Sequence, residues 1–388
     1  MPKPSSRIAS IVSSGKDGWE VHSEAMARRD AGQPIIFLSI GDHDFDTPTE
    51  SVEACVRALR AGYHHYTNLP GIPRLRQALA AASTRASGIE TAPQEVIATP
   101  GGQSALFAAV QAALNPGDHA VVVAPYYATY PYTFRGAEAE FTVVESRAED
   151  GFQPRAEAIE AAIRPNTRAI LVNTPNNPTG AIYSRASLEG IADICRKHDL
   201  WLISDEVYWT LVDQHLSPRS LPGMAERTIV VNSMSKSHGM TGWRIGWITA
   251  PAELVTLLTD LNLVSTYGLN DFISHAAAEA LEEGYGVRDI AERYSARRHV
   301  MLDAMRGLNR VTIRGSEGGM YVMLDVREIE TDDEAFAFRL LDSENIAVMP
   351  GSSFGEAAAG HIRISLCQPD EVLREAAQRI RRFCESQP

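Results

Sequence analysis

The sequence has no apolar run longer than a strand: 120–124 and 169–172 are typical of its most hydrophobic stretches. A membrane-spanning helix needs about 20 such residues, so none is expected. Positive charge is also scarce. Thirty-six Lys and Arg stand against 49 Asp and Glu, a net charge of −13, which argues against a nucleic-acid or anionic-membrane surface. A small anion could still be held by local arginines. The cysteines are few (Cys55, Cys195, Cys367 and Cys384) and scattered, with no C-x-x-C and no zinc spacing. They read as reduced thiols in a cytoplasm rather than a disulfide framework. His64 and His65 adjoin but have no third ligand at a useful spacing, so no metal is expected. No G-x-G-x-x-G follows a strand, which counts against a dinucleotide fold. No repeat, low-complexity tract or long linker occurs, and the opening M-P-K-P-S-S-R has no apolar core after it, so no leader peptide is expected. The 388 residues suffice for one large domain plus a smaller one, or for two ordinary domains.

The residues that are present concentrate around 231–247, V-N-S-M-S-K-S-H-G-M-T-G-W-R-I-G-W. An apolar β-type run, 227–231, leads into small and polar residues around Lys236, and Arg244 follows between Gly242 and Gly246. A lysine after a strand is ordinarily a solvated surface residue. Here Ser233 and Ser235 supply hydroxyls, Arg244 supplies a phosphate-binding fork, and the glycines permit close backbone approach. An amine acting as a Schiff-base nucleophile needs such a sheltered place near a second cation that lowers its pKa.

Other polar groups stand just after predicted strands. Gly41 ends the run 35–40 and opens Gly41-Asp42-His43-Asp44-Phe45-Asp46-Thr47-Pro48. The strand 95–99 passes through Pro100-Gly101-Gly102-Gln103 into a helix, where free N–H groups and the positive helix end would face an anion. The run 119–124 ends at Pro125-Tyr126-Tyr127, and 167–172 runs into N-T-P-N-N-P-T-G with Asn177 inside it. The strand 201–204 ends at Asp205-Glu206-Val207-Tyr208. Singly, each has a plain explanation: a tight turn, core packing, or a helix cap. Arg363, in the alternating strand H-I-R-I-S, would be unremarkable if it pointed outward. Helices are expected at 50–61, 251–263, roughly 276–308 and 370–384.

In this order the motifs resemble the class I/II aminotransferases, the fold-type-I pyridoxal-phosphate (PLP) enzymes of the aspartate aminotransferase superfamily. The resemblance covers about residues 30–388. It rests on S-x-S-K with G-x-x-G-x-R-x-G, on N-P-T-G and on the R-I-S context of Arg363. It implies an α/β fold: a three-layer αβα large domain with a mostly parallel seven-stranded sheet, spanning 49–285. A smaller α+β domain would be built from both chain ends, 1–48 with 286–388. It implies that Lys236 carries the internal aldimine with PLP. The phosphate would be held by Gly102, Gln103, Ser233 and Arg244, and by Tyr66 of the neighbouring subunit. Tyr127 would stack on the ring, Asp205 would keep its nitrogen protonated, and Tyr208 and Asn177 would reach its phenolic oxygen. Gly41, Asn177 and Arg363 would bind the substrate carboxylate, a planar fork suiting that task.

The implied reaction is transamination between an L-amino acid and a 2-oxo acid in a cytoplasmic homodimer with shared sites, without nucleic-acid or membrane partners. A PLP-dependent C–S β-lyase, or another elimination enzyme, uses the same groups. A non-catalytic PLP-binding protein is a remoter alternative, since regulators of this family carry a DNA-binding domain before the fold and this chain is acidic. His43 departs from the family's usual proline, and 265–274 departs from its usual segment. The side-chain determinants are expected among 11–19, His43 and 265–270, where aspartate, aromatic and alanine-like donors all stay open.

Overall fold

The computed structural model describes residues 2–3, 5–11 and 18–387. Residues 12–17, part of the stretch expected to line the mouth, lie outside them. In chain order the strands are β1 Ile36–Phe37, β2 Val96–Thr99, β3 His119–Ala124, β4 Glu140–Glu145, β5 Thr167–Asn173, β6 Trp201–Asp205, β7 Thr228–Ser233, β8 Gly246–Thr249, β9 Thr312–Arg314, β10 Tyr321–Asp325, β11 Ile346–Ala347, β12 Met349–Pro350 and β13 His361–Ser365.

Seven of them form one sheet in the order β2-β8-β7-β6-β5-β3-β4. All neighbours run parallel except β8, which is antiparallel to both β2 and β7. The inner strands are apolar on both faces because helices cover both. Ala120, Val122, Ala169 and Leu171 pack with helices Gly102–Ala113 and Ala252–Ser265. The alternate residues Val121, Val123, Ile170 and Val172 pack with helix Arg185–Lys197 through Leu188 and Ile191. Side chains alternate along a strand, so a continuous apolar run serves two cores at once. At the edge, β4 begins and ends in exposed glutamates, which discourage further pairing.

The second sheet, β12-β13-β10-β9, is antiparallel throughout. Val322, Leu324, Ile362 and Ile364 share its core with Leu373 and Ile380 of helix Asp370–Glu385. The N-terminal segment joins this layer, since β1 pairs in parallel with β11 and the Ser365 amide donates to the Leu38 carbonyl. The architecture is therefore α/β, with a large mostly parallel sheet between helices and a smaller antiparallel unit.

Two expectations need correction. The run 35–40 is a strand only at β1, although Leu38 still bonds the backbone of Ala347 and Ser365. The helical region expected over 276–308 is two helices, Asp271–Glu283 and Val287–Met305. Gly284 and Gly286 separate them at φ 71° and 74°, a left-handed conformation that ends a helix and favours glycine.

Helix Val287–Met305 anchors the N-terminal segment through Arg297, which is 2% exposed. Its guanidinium donates to both Asp44 oxygens at 2.6 and 2.8 Å and to Asp370 at 3.1 Å. Burial alone would raise the Asp44 pKa, but the hydrogen bonds and charge of Arg297 outweigh it and hold the carboxyl below its ordinary value. A depressed folded-state pKa stabilises the fold above the unfolded value, and the contribution is lost as pH falls through the folded one. Asp44→Asn should cost about 2 kcal/mol near neutrality. Its melting-temperature deficit against wild type should shrink below about pH 4, which thermal melts across pH would measure.

Candidate active site

The carboxyl ends of β5, β6 and β7 face a cavity of about 300 Å³. In parallel sheets ligands bind on this side, since loops and helix N-termini gather there. Lys236 lies in the short helix Met234–Ser237, which starts where β7 stops and is capped by Ser233. The half-buried lysine donates from Nζ to the Gly41 carbonyl at 2.5 Å. Desolvation lowers its pKa, and Arg363 and Arg244 add to the effect against Cys367 and Asp42. More of the amine is therefore free base at neutral pH than in an exposed lysine.

Asp205 ends β6 and is buried on the cavity floor. Tyr130 donates its hydroxyl to Oδ2 at 2.7 Å, and the Val207 amide donates to Oδ1 at 3.3 Å. Burial pushes the Asp205 pKa up to about 6, those two bonds opposing it and Glu206 reinforcing it. Among the described residues no arginine or lysine is a hydrogen-bond partner of its carboxylate. A cation brought by a ligand would favour its ionised form.

One wall is an anion cradle. Gly101 is at φ 88°, and helix Gly102–Ala113 begins at the next residue with its N–H groups toward the cavity. Arg244, itself at φ 57°, lies against that turn, and a Cβ on Gly101 would come 2.4 Å from its Nη2. Gly246 packs so close that a Cβ there would meet the Gly101 carbonyl carbon at 2.5 Å. Ser233 completes the wall, but its hydroxyl is engaged within the protein, accepting from the Ser235 amide at 3.1 Å and bonding the Ser235 hydroxyl at 2.9 Å and the Ile245 carbonyl at 3.1 Å. Ser233 has one hydroxyl proton for these two acceptors; when it goes to Ser235, the Ser235 proton is left to face the cavity. Gln103 lies at the rim, tied to Thr129 and Thr133.

The opposite wall holds a second cation. Arg363, on β13, is buried between the rings of Tyr321 and Phe354, 4.3 and 4.6 Å from their centroids. It donates to Asn177 Oδ1 at 3.0 Å and to the Ser39 carbonyl at 2.5 Å, while Nε has no protein partner. Two of its five N–H donors are thus used for holding it; Nε is buried, and the second hydrogens of Nη1 and Nη2 are left for a carboxylate. Asn177 in turn donates to the Tyr208 hydroxyl at 3.3 Å, and Tyr208 lies 3.4 Å from the Tyr321 hydroxyl. Tyr127, edge-on to Tyr130 at 5.9 Å, offers an aromatic face near Asp205. Gly41 is required where it is, since a Cβ would fall 1.9 Å from the Tyr321 hydroxyl.

Eleven of the residues singled out in the sequence therefore line this one cavity: Gly41, Gly102, Gln103, Tyr127, Asn177, Asp205, Tyr208, Ser233, Lys236, Arg244 and Arg363. Tyr66 does not. It is 86% exposed and packs edge-on against Tyr267 beside a separate crevice. His43 is not at the mouth either; it lies behind the lysine, against Ser235 and Tyr294. Glu206, adjacent to Asp205, is fully buried and points away, bonded to Ser204, Ser217 and His215. Tyr130, Tyr321 and Phe354 are not distinguished by the sequence. Nothing in their spacing separates them from ordinary core aromatics.

The arrangement suits a flat aromatic ligand with an anion at one end, a basic nitrogen over Asp205 and a carbon electrophile near Lys236. Gly101→Ala should crowd the anion cradle and weaken binding of such a ligand about tenfold or more, read by absorbance titration with pyridoxal phosphate.

The family model described as aminotransferase class I and II matches residues 33–380. An arginine–pyruvate transaminase of Pseudomonas aeruginosa is 44% identical over 95% of this chain and 95% of its own length. An aspartate/prephenate aminotransferase of Thermus thermophilus is 39% identical over 93% of this chain and 94% of its own. Among solved structures, a single mutant of T. thermophilus aspartate aminotransferase superposes with a TM-score of 0.92 at 37% identity, covering 98% of this chain and all of that one.

Proposed function

The chain belongs to the class I and II aminotransferases, and from that premise we propose that it transfers an amino group from an L-amino acid to a 2-oxo acid with Lys236 as the covalent and proton-moving residue. Members of this family are PLP-dependent enzymes. PLP, when bound, supplies an aldehyde that joins amines and a protonated ring that accepts the electron pair left at the donor's Cα. The residues present fit it. The cradle of Gly102, Arg244, Ser233 and Ser235 suits the phosphate, Tyr127 suits the ring face, and Tyr208 and Asn177 suit its phenolic oxygen.

The observation that carries the reading is Asp205, buried, raised to about 6 and without a protein cation. It is matched to a pyridinium nitrogen and to little else. Lys236 Nζ, with its lowered pKa, would be the free amine available to such an aldehyde. When not so joined, Nζ would serve as the base that takes the donor's Cα proton and holds it for return. Arg363 holds the α-carboxylate so that the Cα–H bond faces Nζ, its own position fixed by Asn177, Ser39 and two aromatic rings.

We propose two domains, 49–285 and 1–48 with 286–388, meeting at the site. Lys236 and Asp205 come from one, Gly41 and Arg363 from the other. We also propose a cytoplasmic homodimer. Tyr66 lies away from its own chain's cavity, and Leu263, Val264 and Tyr267 are also exposed, an apolar surface suited to a second copy. Among the described residues no helix is long and apolar enough to cross a membrane. Arginine with pyruvate is the first donor–acceptor pair to try, because a relative bears that name.

Borohydride reduction of the yellow holoprotein followed by peptide mapping should tag Lys236. Label on another lysine, or release of pyruvate and ammonia from a thioether amino acid without an oxo-acid acceptor, would sink the proposal. Lys236→Ala should abolish half-transamination, seen as loss of the donor-driven change in the cofactor's visible band. Asp205→Ala should retain bound cofactor but lower kcat by at least about a hundredfold. Arg363→Lys should act mainly on the donor KM, raising it about tenfold or more.

A further inference from the structure

The sequence has histidine at position 43, where the resembled motif has proline. Proline has no N–H and no side-chain polar atom, so whatever this histidine bonds is a feature of this chain. Its ring is mostly buried against Phe45 and Tyr294, with centroids 4.7 and 5.6 Å away. Nε2 lies 3.0 Å from the Ser235 carbonyl oxygen and Nδ1 lies 2.8 Å from the Tyr294 hydroxyl.

The partners fix the tautomer. A carbonyl only accepts, so Nε2 carries the hydrogen and Nδ1 accepts from the Tyr294 O–H. The Tyr294 hydroxyl also lies 3.5 Å from Cys367 Sγ. The ring is neutral at working pH. Burial and the Lys236 ammonium press its pKa down to about 4, while the Ser235 carbonyl, Asp42 and Asp44 pull the other way.

The contacts close a circuit. Gly41 and His43 lie two residues apart on one segment, and Ser235 and Lys236 adjoin on another. One tie is Lys236 Nζ to the Gly41 carbonyl; the other is His43 Nε2 to the Ser235 carbonyl. The first tie must break whenever the amine bonds elsewhere. The second does not involve the amine.

We propose that His43 is a positioning residue for Lys236, clamping the Gly41–Asp42 turn to the peptide that bears the lysine and holding the two together when the amine leaves Gly41 for the cofactor. The proposal rests on the reading of Lys236 as the cofactor-binding amine. A second point follows from it: Tyr294 is part of the clamp because its hydroxyl can pair with Nδ1 while the ring hydrogen on Nε2 is given to Ser235.

The test uses apoprotein of the wild type and of His43→Phe, His43→Pro and His43→Gln, mixed with pyridoxal phosphate. Three things are read: the rate at which the visible band appears, the induced circular dichroism of that band, and the melting temperature of the apoprotein. Phe keeps the packing and loses the donor, Pro restores the usual family residue, and Gln keeps an N–H within reach of Ser235. Capture should slow about tenfold in the Phe and Pro variants, the worth of one buried hydrogen bond whose acceptor is left unpaired. Induced dichroism should weaken in both. Gln should stay within about threefold of wild type. Wild-type capture and dichroism in the Phe and Pro variants would overturn the proposal. So would an equal loss in all three variants, because that would make the ring's packing the cause. Should the Phe variant not accumulate, Tyr294→Phe serves instead, with a smaller slowing expected and no change overturning the clamp. A wild type that takes up no cofactor at Lys236 would defeat the functional reading itself, an outcome distinct from any of these.

Discussion

A carboxylate buried without a cation is the constraint on which the site depends. Removing Asp205 from water disfavours its charge, and among the described residues the fold answers with two neutral donors, Tyr130 and the Val207 amide. The charge that would balance it is left for the ligand to bring. Everything else is placed in relation to that point: the amine of Lys236 on the next strand end, an anion cradle on one side and a carboxylate fork on the other. The parallel order of β5, β6 and β7 makes this possible, because it sets residues 173, 205 and 233 side by side at three adjacent strand ends although they are far apart in the chain.

The readable part of the site in the sequence is the part that lies next to a strand end. Asp205, Asn177, Lys236 and the Gly101–Gly102 turn each lie within five residues of the end of an apolar run, so a local pattern exposes them. Tyr130 and Tyr321 are as necessary to the geometry, yet each lies where an aromatic would be expected for packing alone. The bonds they make, to Asp205 and alongside Tyr208, depend on tertiary placement. His43 misled for a related reason. A polar residue in a turn beside the site suggests a mouth, but the turn points its ring inward. Strand periodicity located the large sheet well, since its runs are buried on both faces. It located the broken helix poorly, because Gly284 and Gly286 leave the apolar pattern on either side intact.

The two arginines of the cavity differ in how they are held. Arg363 is encased by rings and spends part of its fork on Asn177 and Ser39, which fixes its plane before a substrate arrives. Arg244 is exposed, anchored through the Thr241 carbonyl at 2.7 Å and pressed against a glycine turn. The first arrangement favours discrimination of a planar group, the second accommodates a tetrahedral anion from several directions.

The large sheet has a second rim, formed by the amino ends of β3, β5, β6 and β7. The loops there run through Gly117, Asn166, Asp199 and Glu226, and none of these residues borders the cavity. Backbone bonds there tie one loop to the next, as between Gly117 and Glu138 or between His119 and Asn166. That rim is the far end of the strands that carry the chemistry, so a tag or a fused module attached at its exposed turns would sit a full strand length from the reacting groups.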